Sequence, residues 1–172
     1  MKKTKSPDFK EFVRFFPKVE LPIQLNEEDH HTFSTQNKPL PLDFIERFIS
    51  PYEKEASDEF TEYVPCFRLP DTKNFIGLVY WRAKLMDYHY MLNTYEKDGS
   101  FKQSIHIGGT RTDGKNMARL VCTIKDKGQI EMVAGSAPVG EKHYDPKDSK
   151  VFVVHLDEGG RADIEMNETL LS

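Results

Sequence analysis

The sequence predicts an α+β protein in which short N-terminal helices pack on a curled antiparallel β-meander. Two observations predict this class. In the first 62 residues apolar side chains recur with a helical period, and from Tyr63 onward the period changes to two, with Gly-containing turns between the runs. We expect about seven or eight strands in an open sheet or partial barrel. The 172 residues suit a single domain, 1–172, with a helical and loop part at 1–62 and the antiparallel sheet at 63–168.

Two apolar stripes predict the N-terminal helices. Ser6 is a suitable N-cap for the first, and Pro7 suits its first helical position. One face of this helix carries four apolar residues at i, i+3, i+4 and i+7: Phe9, Phe12, Val13 and Phe16. The stripe of the second helix ends before Pro51: Phe44, Ile45, Phe48 and Ile49. Both stripes are typical of core-facing helices.

Three turns predict the registers of the sheet. The two-residue turn Asp98-Gly99 and the three-residue loops 126–128 and 158–160 are typical of antiparallel hairpins. They place these residues opposite one another: Leu92 with Ile105 and Tyr90 with Ile107; Ile124 with Ile130, Cys122 with Met132 and Leu120 with Ala134; Leu156 with Ala162, Val154 with Ile164 and Phe152 with Met166. An earlier hairpin is expected to join residues 74–85 to residues 88–96 around Met86-Asp87. Since a slip of one residue would reverse every side chain, this agreement favours an antiparallel sheet.

The same registers separate the two faces of the central strands. One face is apolar and includes Trp81, Leu92 and Ile105. The opposite face, called here the polar-aromatic face, carries eight residues: Tyr80, Arg82, His89, Met91, Asn93, Tyr95, Ser104 and His106. Tyr and Arg are enriched where proteins contact partners, although an antiparallel sheet often keeps one face in water without any function.

Two functions are consistent with this face. The first is a small binding or interaction protein that contacts a protein partner or a small polar ligand through the polar-aromatic face or through the turn-rich loop Gly135–Ser149. The second is a small hydrolase-type enzyme in which His89 and His106 are acid–base groups and Arg82 binds an anionic substrate. An enzyme requires these side chains to converge in a concave pocket, whereas a binding module permits a shallow face.

The segment Gly109–Asn116, "GTRTDGKN", resembles a phosphate-binding loop up to its last residue. A phosphate loop leads into a helix whose N-terminal amides face the anion, but here the alternating strand-like run "MARLVCTI" follows. The Thr112-Asp113-Gly114-Lys115 stretch is therefore predicted to be a turn.

Other motifs for catalysis or metal binding are weak. The run "NEEDHH", Asn26 to His31, contains metal-ligand residue types, but adjacent residues rarely converge on one ion, so we predict a short helix capped by Asn26. Ser136 lacks the glycine pattern of a nucleophile elbow. Cys66 and Cys122 show no paired spacing, and Cys122 alternates with apolar neighbours. We expect no metal and no cofactor.

Charge and hydropathy limit the classes of partner. Residues 1–62 carry nine Lys or Arg against thirteen Asp or Glu, and the remaining residues balance, which leaves a net charge of −4. Without clustered positive charge, nucleic acid is not an expected partner. The longest apolar run, "FIGLVYW", is far shorter than the roughly 20 residues of a membrane helix. With two unpaired cysteines, the sequence predicts a cytoplasmic protein that has no contact with membranes.

Overall fold

The computed structural model describes residues 7–126, 128–140 and 149–166. Within these residues the chain forms three short helices, one 3-10 turn and nine strands in a mostly antiparallel open sheet, which confirms the predicted α+β class. The helices are α1 (Phe9–Arg14), α2 (Asp29–Gln36) and α3 (Leu42–Phe48), followed by the 3-10 turn Ser50–Tyr52.

The strands follow one another in sequence order across the sheet. They are β1 (Ile23–Leu25), β2 (Glu62–Arg68), β3 (Ile76–Lys84), β4 (Asp87–Tyr95), β5 (Phe101–Thr112), β6 (Asn116–Asp126), β7 (Gln129–Pro138), β8 (Lys150–Leu156) and β9 (Ala162–Met166). Strands β2 to β9 pair consecutively, and β1 pairs with β6. The described sheet does not close into a barrel, so the meander remains open at β2 and β9.

The two C-terminal hairpins have the predicted registers. All three residue pairs predicted between β6 and β7 are present, and so are all three predicted between β8 and β9. These registers could be predicted because Gly-containing turns and apolar alternation indicate the same pairing. The stretch 112–115 joins β5 to β6 as a turn, as predicted, and the side chain of Asp113 accepts from the backbone N–H groups of Lys115 and Asn116.

The two central hairpins differ from the prediction in detail. Leu92 pairs with Ile105 as expected. Tyr90 pairs with Gly108 instead of Ile107, because a β-bulge lies between the pairs Met91–His106 and Tyr90–Gly108. The β3–β4 turn is Leu85-Met86 instead of Met86-Asp87, so Trp81 pairs with Tyr90. This slip of two residues preserves the predicted faces, because side chains alternate with a period of two.

Two apolar cores lie on opposite faces of the central strands. The inner core fills the curl of the sheet and includes Trp81, Leu92 and Ile107. The outer core packs α1 and α3 against β3 and β4, with Phe12 and Phe48 stacked at 4.9 Å between ring centroids. The helices therefore cover part of the face that the sequence predicts to be polar.

The predicted helix starts are shifted in the structure. Asp8 caps α1 by accepting from the backbone N–H of Lys10, so the predicted cap Ser6 is wrong for this helix; Ser6 itself lies outside the described residues. Helix α2 begins at Asp29, whose carboxylate accepts from the backbone N–H of Asn26. The predicted Asn26 cap is therefore wrong: Glu28 is the N-cap, and the Asn26 backbone N–H donates to the helix residue Asp29, as in half of a capping box.

The loop predicted at Gly135–Ser149 begins later than expected. Residues up to Pro138 belong to β7, because they continue the ladder with β6 to the pair Asn116–Pro138. Residues 141–148 lie outside the described residues. The candidate site described below therefore does not include this loop.

Candidate functional site

Helices α1 and α3 cover three of the eight residues of the polar-aromatic face. Tyr80, Asn93 and Tyr95 are each about 1% exposed beneath these helices. The Asn93 amide donates to the Tyr95 hydroxyl at 3.0 Å, and this hydroxyl donates to the Phe48 carbonyl at 2.5 Å. Burial raises the pKa of the Tyr80 and Tyr95 phenols above the ordinary range. The expectation that these three residues lie on an open binding surface is corrected, because the N-terminal helices use the face for packing.

The remaining part of the face forms a small cleft. Five of its residues converge there: Arg82, His89, Met91, Ser104 and His106. The opposite wall is the segment Tyr52–Glu55 that follows α3, and the cleft encloses about 220 Å³. This cleft, called here the His106 cleft, contains four of the seven binding residues predicted from the sequence.

The pairing of β4 with β5 brings the two histidines together, next to a β-bulge in β5. Ile107 and Gly108 together oppose Tyr90, so the extra residue shifts the pairing by one position from there on. His106 lies on the turn side of the bulge, so its pairing with Met91 continues the register of the Leu92–Ile105 pair. On the outer face it is diagonal to His89. Strand alternation, with Ile105 and Ile107 in the inner core, therefore directs this imidazole into the cleft.

Close contacts link the two imidazoles to a carboxylate. Nδ1 of His89 contacts Nε2 of His106, and the rings meet edge to face. Nε2 of His106 also donates to the Gly108 carbonyl at 2.8 Å. On the other side Nε2 of His89 contacts the buried Oδ1 of Asp87. Asp87 is absent from the predicted residues, although its position two residues before His89 on the same strand face is a signal that could have indicated it.

A buried ion pair forms the floor of the cleft. Nη1 of Arg82 donates to Oε2 of Glu53 at 2.9 Å, and the two side chains are only 10% and 3% exposed. The Tyr80 hydroxyl donates to the second oxygen of Glu53 at 3.4 Å. No periodicity in the sequence indicates Glu53, because it lies in an irregular segment whose partner is 29 residues away.

Burial keeps both imidazoles neutral near pH 7. It lowers the pKa of His89 from 6.5 to about 4, helped by His106 and Arg82 and opposed by Asp87. Burial also lowers the pKa of His106, with Arg82 adding to the effect, while the Gly108 carbonyl and Asp87 oppose it. Part of the His106 residue is nevertheless exposed. The cleft therefore presents an uncharged imidazole to solvent.

Acidification is expected to destabilise the protein through His89. In the unfolded chain His89 titrates near 6.5 and in the folded chain near 4, so between these values the unfolded chain binds more protons. Stability is therefore full above pH 6.5 and falls as the pH drops toward 4, by roughly 3 kcal/mol. Urea unfolding at a series of pH values would measure this loss in the wild type and in a His89→Asn variant. His155 is exposed, so the His155→Asn variant is the control and its free energy of unfolding should depend on pH as in the wild type. The same pH dependence in His89→Asn would contradict the attribution of the loss to His89.

The "NEEDHH" run has structural contacts. Glu27 accepts from the Thr110 hydroxyl at 2.5 Å and pairs with Arg119 at 3.1 Å. The His30 ring stacks on Trp81 with centroids 4.3 Å apart. Within residues 7–126, 128–140 and 149–166, no group of three or more His, Cys, Asp or Glu side chains is arranged to hold a metal ion.

Comparisons with known proteins give no functional assignment. No family model, curated protein or solved structure matches this chain. None of the helices in the described part of the chain has the length and apolar character needed to cross a membrane. Function is therefore inferred from the geometry and chemistry of the His106 cleft.

Proposed function

We propose that the protein binds a small polar ligand in the His106 cleft. The observation that carries this proposal is the convergence of Arg82, Ser104 and His106 with His89 in one concavity. Polar side chains held on three neighbouring strands, β3, β4 and β5, and aimed into a common space are the arrangement expected of a ligand site. A protein partner on the open face is disfavoured, because Tyr80, Asn93 and Tyr95 are covered by the helices.

The dimensions and charge of the cleft limit the ligand. Its volume of about 220 Å³ is below the roughly 300–1,000 Å³ of sites for drug-sized molecules, which favours a small metabolite. Arg82 is paired with Glu53, so an anionic ligand would compete with a buried carboxylate for the guanidinium. The hydrolase hypothesis assigns anion binding to Arg82. We propose instead that Arg82, whose charge is neutralised by Glu53, is a positioning group. We infer an uncharged or zwitterionic ligand with hydroxyl or N–H groups.

Saturation-transfer NMR with a panel of monosaccharides, nucleosides, amino acids and polyols tests this proposal. We expect at least one class to bind the wild type and to lose at least tenfold in affinity with His106→Ala, which removes the exposed imidazole. His155→Ala is the matched control, because His155 is exposed on β8 and does not line the cleft. Thermal unfolding of each variant reports whether the fold is intact. The proposal is wrong if no class binds, or if both folded variants bind as the wild type does.

Acid–base catalysis is a second candidate function. The contacts from Asp87 through His89 to His106 favour it, because a neutral, solvent-facing imidazole linked to a carboxylate is suited to accept a proton. The experiment is to incubate each ligand found by NMR with the wild type and with His106→Ala and to follow product signals. Conversion by the wild type alone supports an enzyme; a ligand that remains unchanged with both proteins supports binding only.

A further inference from the structure

We propose that Asp87, His89 and His106 form a directed proton-transfer chain whose open end, Nδ1 of His106, accepts a hydrogen bond from a ligand hydroxyl or N–H group. This inference rests on the proposed function, since it names the chemistry of the same cleft. His106 is the residue that would touch the ligand. His89 and Asp87 are positioning residues that act through it.

The partners of the ring nitrogens fix the direction of the chain. A backbone carbonyl only accepts, so Nε2 of His106, which lies 2.8 Å from the Gly108 oxygen, carries a proton. A carboxylate oxygen also accepts, so Nε2 of His89, in contact with Asp87, carries the proton of that ring. In a neutral His89 the remaining nitrogen, Nδ1, is then an acceptor. It contacts the same Nε2–H of His106, whose one proton the Gly108 carbonyl and this nitrogen share as two acceptors, and this completes the link.

This assignment leaves one acceptor at the end of the chain. With the proton of neutral His106 on Nε2, its Nδ1 carries a lone pair. This nitrogen makes no hydrogen bond to the residues that the structure describes, and the side chain is exposed at the cleft. A ligand group that meets it must therefore donate, which selects a hydroxyl or N–H group over a carboxylate oxygen.

The charged groups around the chain favour a neutral resting state. Arg82 on β3 and Asp87 on β4 face the imidazoles with opposite charges, and the segment after α3 adds further charges: Glu53, Lys54 and Glu55. Glu53 is neutralised by Arg82 and Glu55 lies 3.7 Å from Lys84. If His89 were protonated, its Nδ1–H would face the Nε2–H of His106, and two donors would meet at this contact without an acceptor between them. The lowered pKa of both rings agrees with this geometry.

The proton step is balanced within the chain. The ligand O–H bond breaks as an N–H bond forms at Nδ1 of His106, and the electron pair stays on the ligand oxygen. The resulting imidazolium shares its Nε2 proton with Nδ1 of His89, while the Nε2–H of His89 remains on the Asp87 carboxylate. The negative charge of Asp87 thus stabilises a cation that forms two hydrogen bonds away.

NMR of ligand-free protein carrying ¹⁵N-labelled histidine tests the chain. Long-range ¹H–¹⁵N spectra report which ring nitrogen carries the proton and at which pH each ring titrates. At neutral pH we expect both His89 and His106 as the Nε2–H tautomer, with His106 titrating below 6.5. Asp87→Asn removes the charge that favours protonation, so both midpoints should fall, by roughly one pH unit. Asp113→Asn, in the β5–β6 turn, is the matched control and should leave both rings unchanged.

The outcomes separate this chain from ligand binding itself. Nδ1–H on His106, an ordinary midpoint near 6.5, or identical titrations in the wild type and folded Asp87→Asn would each overturn the chain. If Asp87→Asn does not fold, the tautomers of the wild-type protein still test the chain. The direction of the chain requires that both His89 and His106 carry their proton on Nε2. Since these spectra contain no ligand, a failed ligand screen leaves their result intact and overturns only the proposed function.

Discussion

Replacing Gly109 with alanine is expected to lower the free energy of unfolding by roughly 4 kcal/mol. A Cβ atom at this position would lie 1.9 Å from the Tyr88 carbonyl oxygen and 2.8 Å from Cα of His89. These are backbone atoms of the paired strand, so they move only if the β4–β5 ladder opens. Gly109 also has φ of 129°, a conformation that favours glycine. The energetic costs of backbone strain and of overpacking therefore add together in the Gly109→Ala variant.

Gly114→Ala is the matched control for this substitution. Gly114 also has a positive φ, 94°, but no atom lies within 4 Å of the Cβ it would gain. Only the conformational cost remains, about 1 kcal/mol. Urea unfolding of both variants measures the difference, and equal losses would show that the close approach of the strands at Gly109 is unimportant. Because Gly109 pairs with His89, the first variant should also disturb the His89 and His106 signals, whereas the second should not.

Replacing Glu53 with glutamine is expected to lower the free energy of unfolding by about 3 kcal/mol. The substitution keeps the shape of the side chain but leaves the Arg82 guanidinium without its carboxylate. Arg82 is 8% exposed on a strand with neighbours on both sides, so it cannot swing into water to recover its solvation. The amide oxygen of glutamine can still accept a hydrogen bond from Arg82. The expected loss of stability therefore lies at the lower end of the range for a buried ion pair that has lost one partner.

Glu55→Gln is the matched control for the ion pair. Glu55 lies 3.7 Å from Lys84 with its side chain 61% exposed, and an exposed pair of this kind contributes about 0.5 kcal/mol or less. Urea unfolding of the two single variants measures the contrast. An Arg82→Met/Glu53→Met double variant removes both charges and should recover much of the loss. Equal stability of Glu53→Gln and Glu55→Gln would contradict a buried pair.

Local sequence patterns were sufficient for the registers of the two C-terminal hairpins. The pairs of Leu120 with Ala134 and of Phe152 with Met166 follow from turn length and alternation, which are properties of neighbouring residues. The face of His106 was also predicted from alternation with Ile105 and Ile107. The bulge that follows His106 was not predicted, because it depends on how two adjacent glycines, Gly108 and Gly109, let the facing strand approach.

By itself the sequence determined the class of fold, the order of the strands and the faces of their side chains. Only the tertiary structure decided which of the polar side chains stay accessible. Helices α1 and α3 cover Tyr80, Asn93 and Tyr95, and the segment after α3 brings Glu53 onto Arg82. Alternation is dictated by the geometry of one strand, whereas burial depends on which distant segment packs against it, and no local pattern encodes that choice.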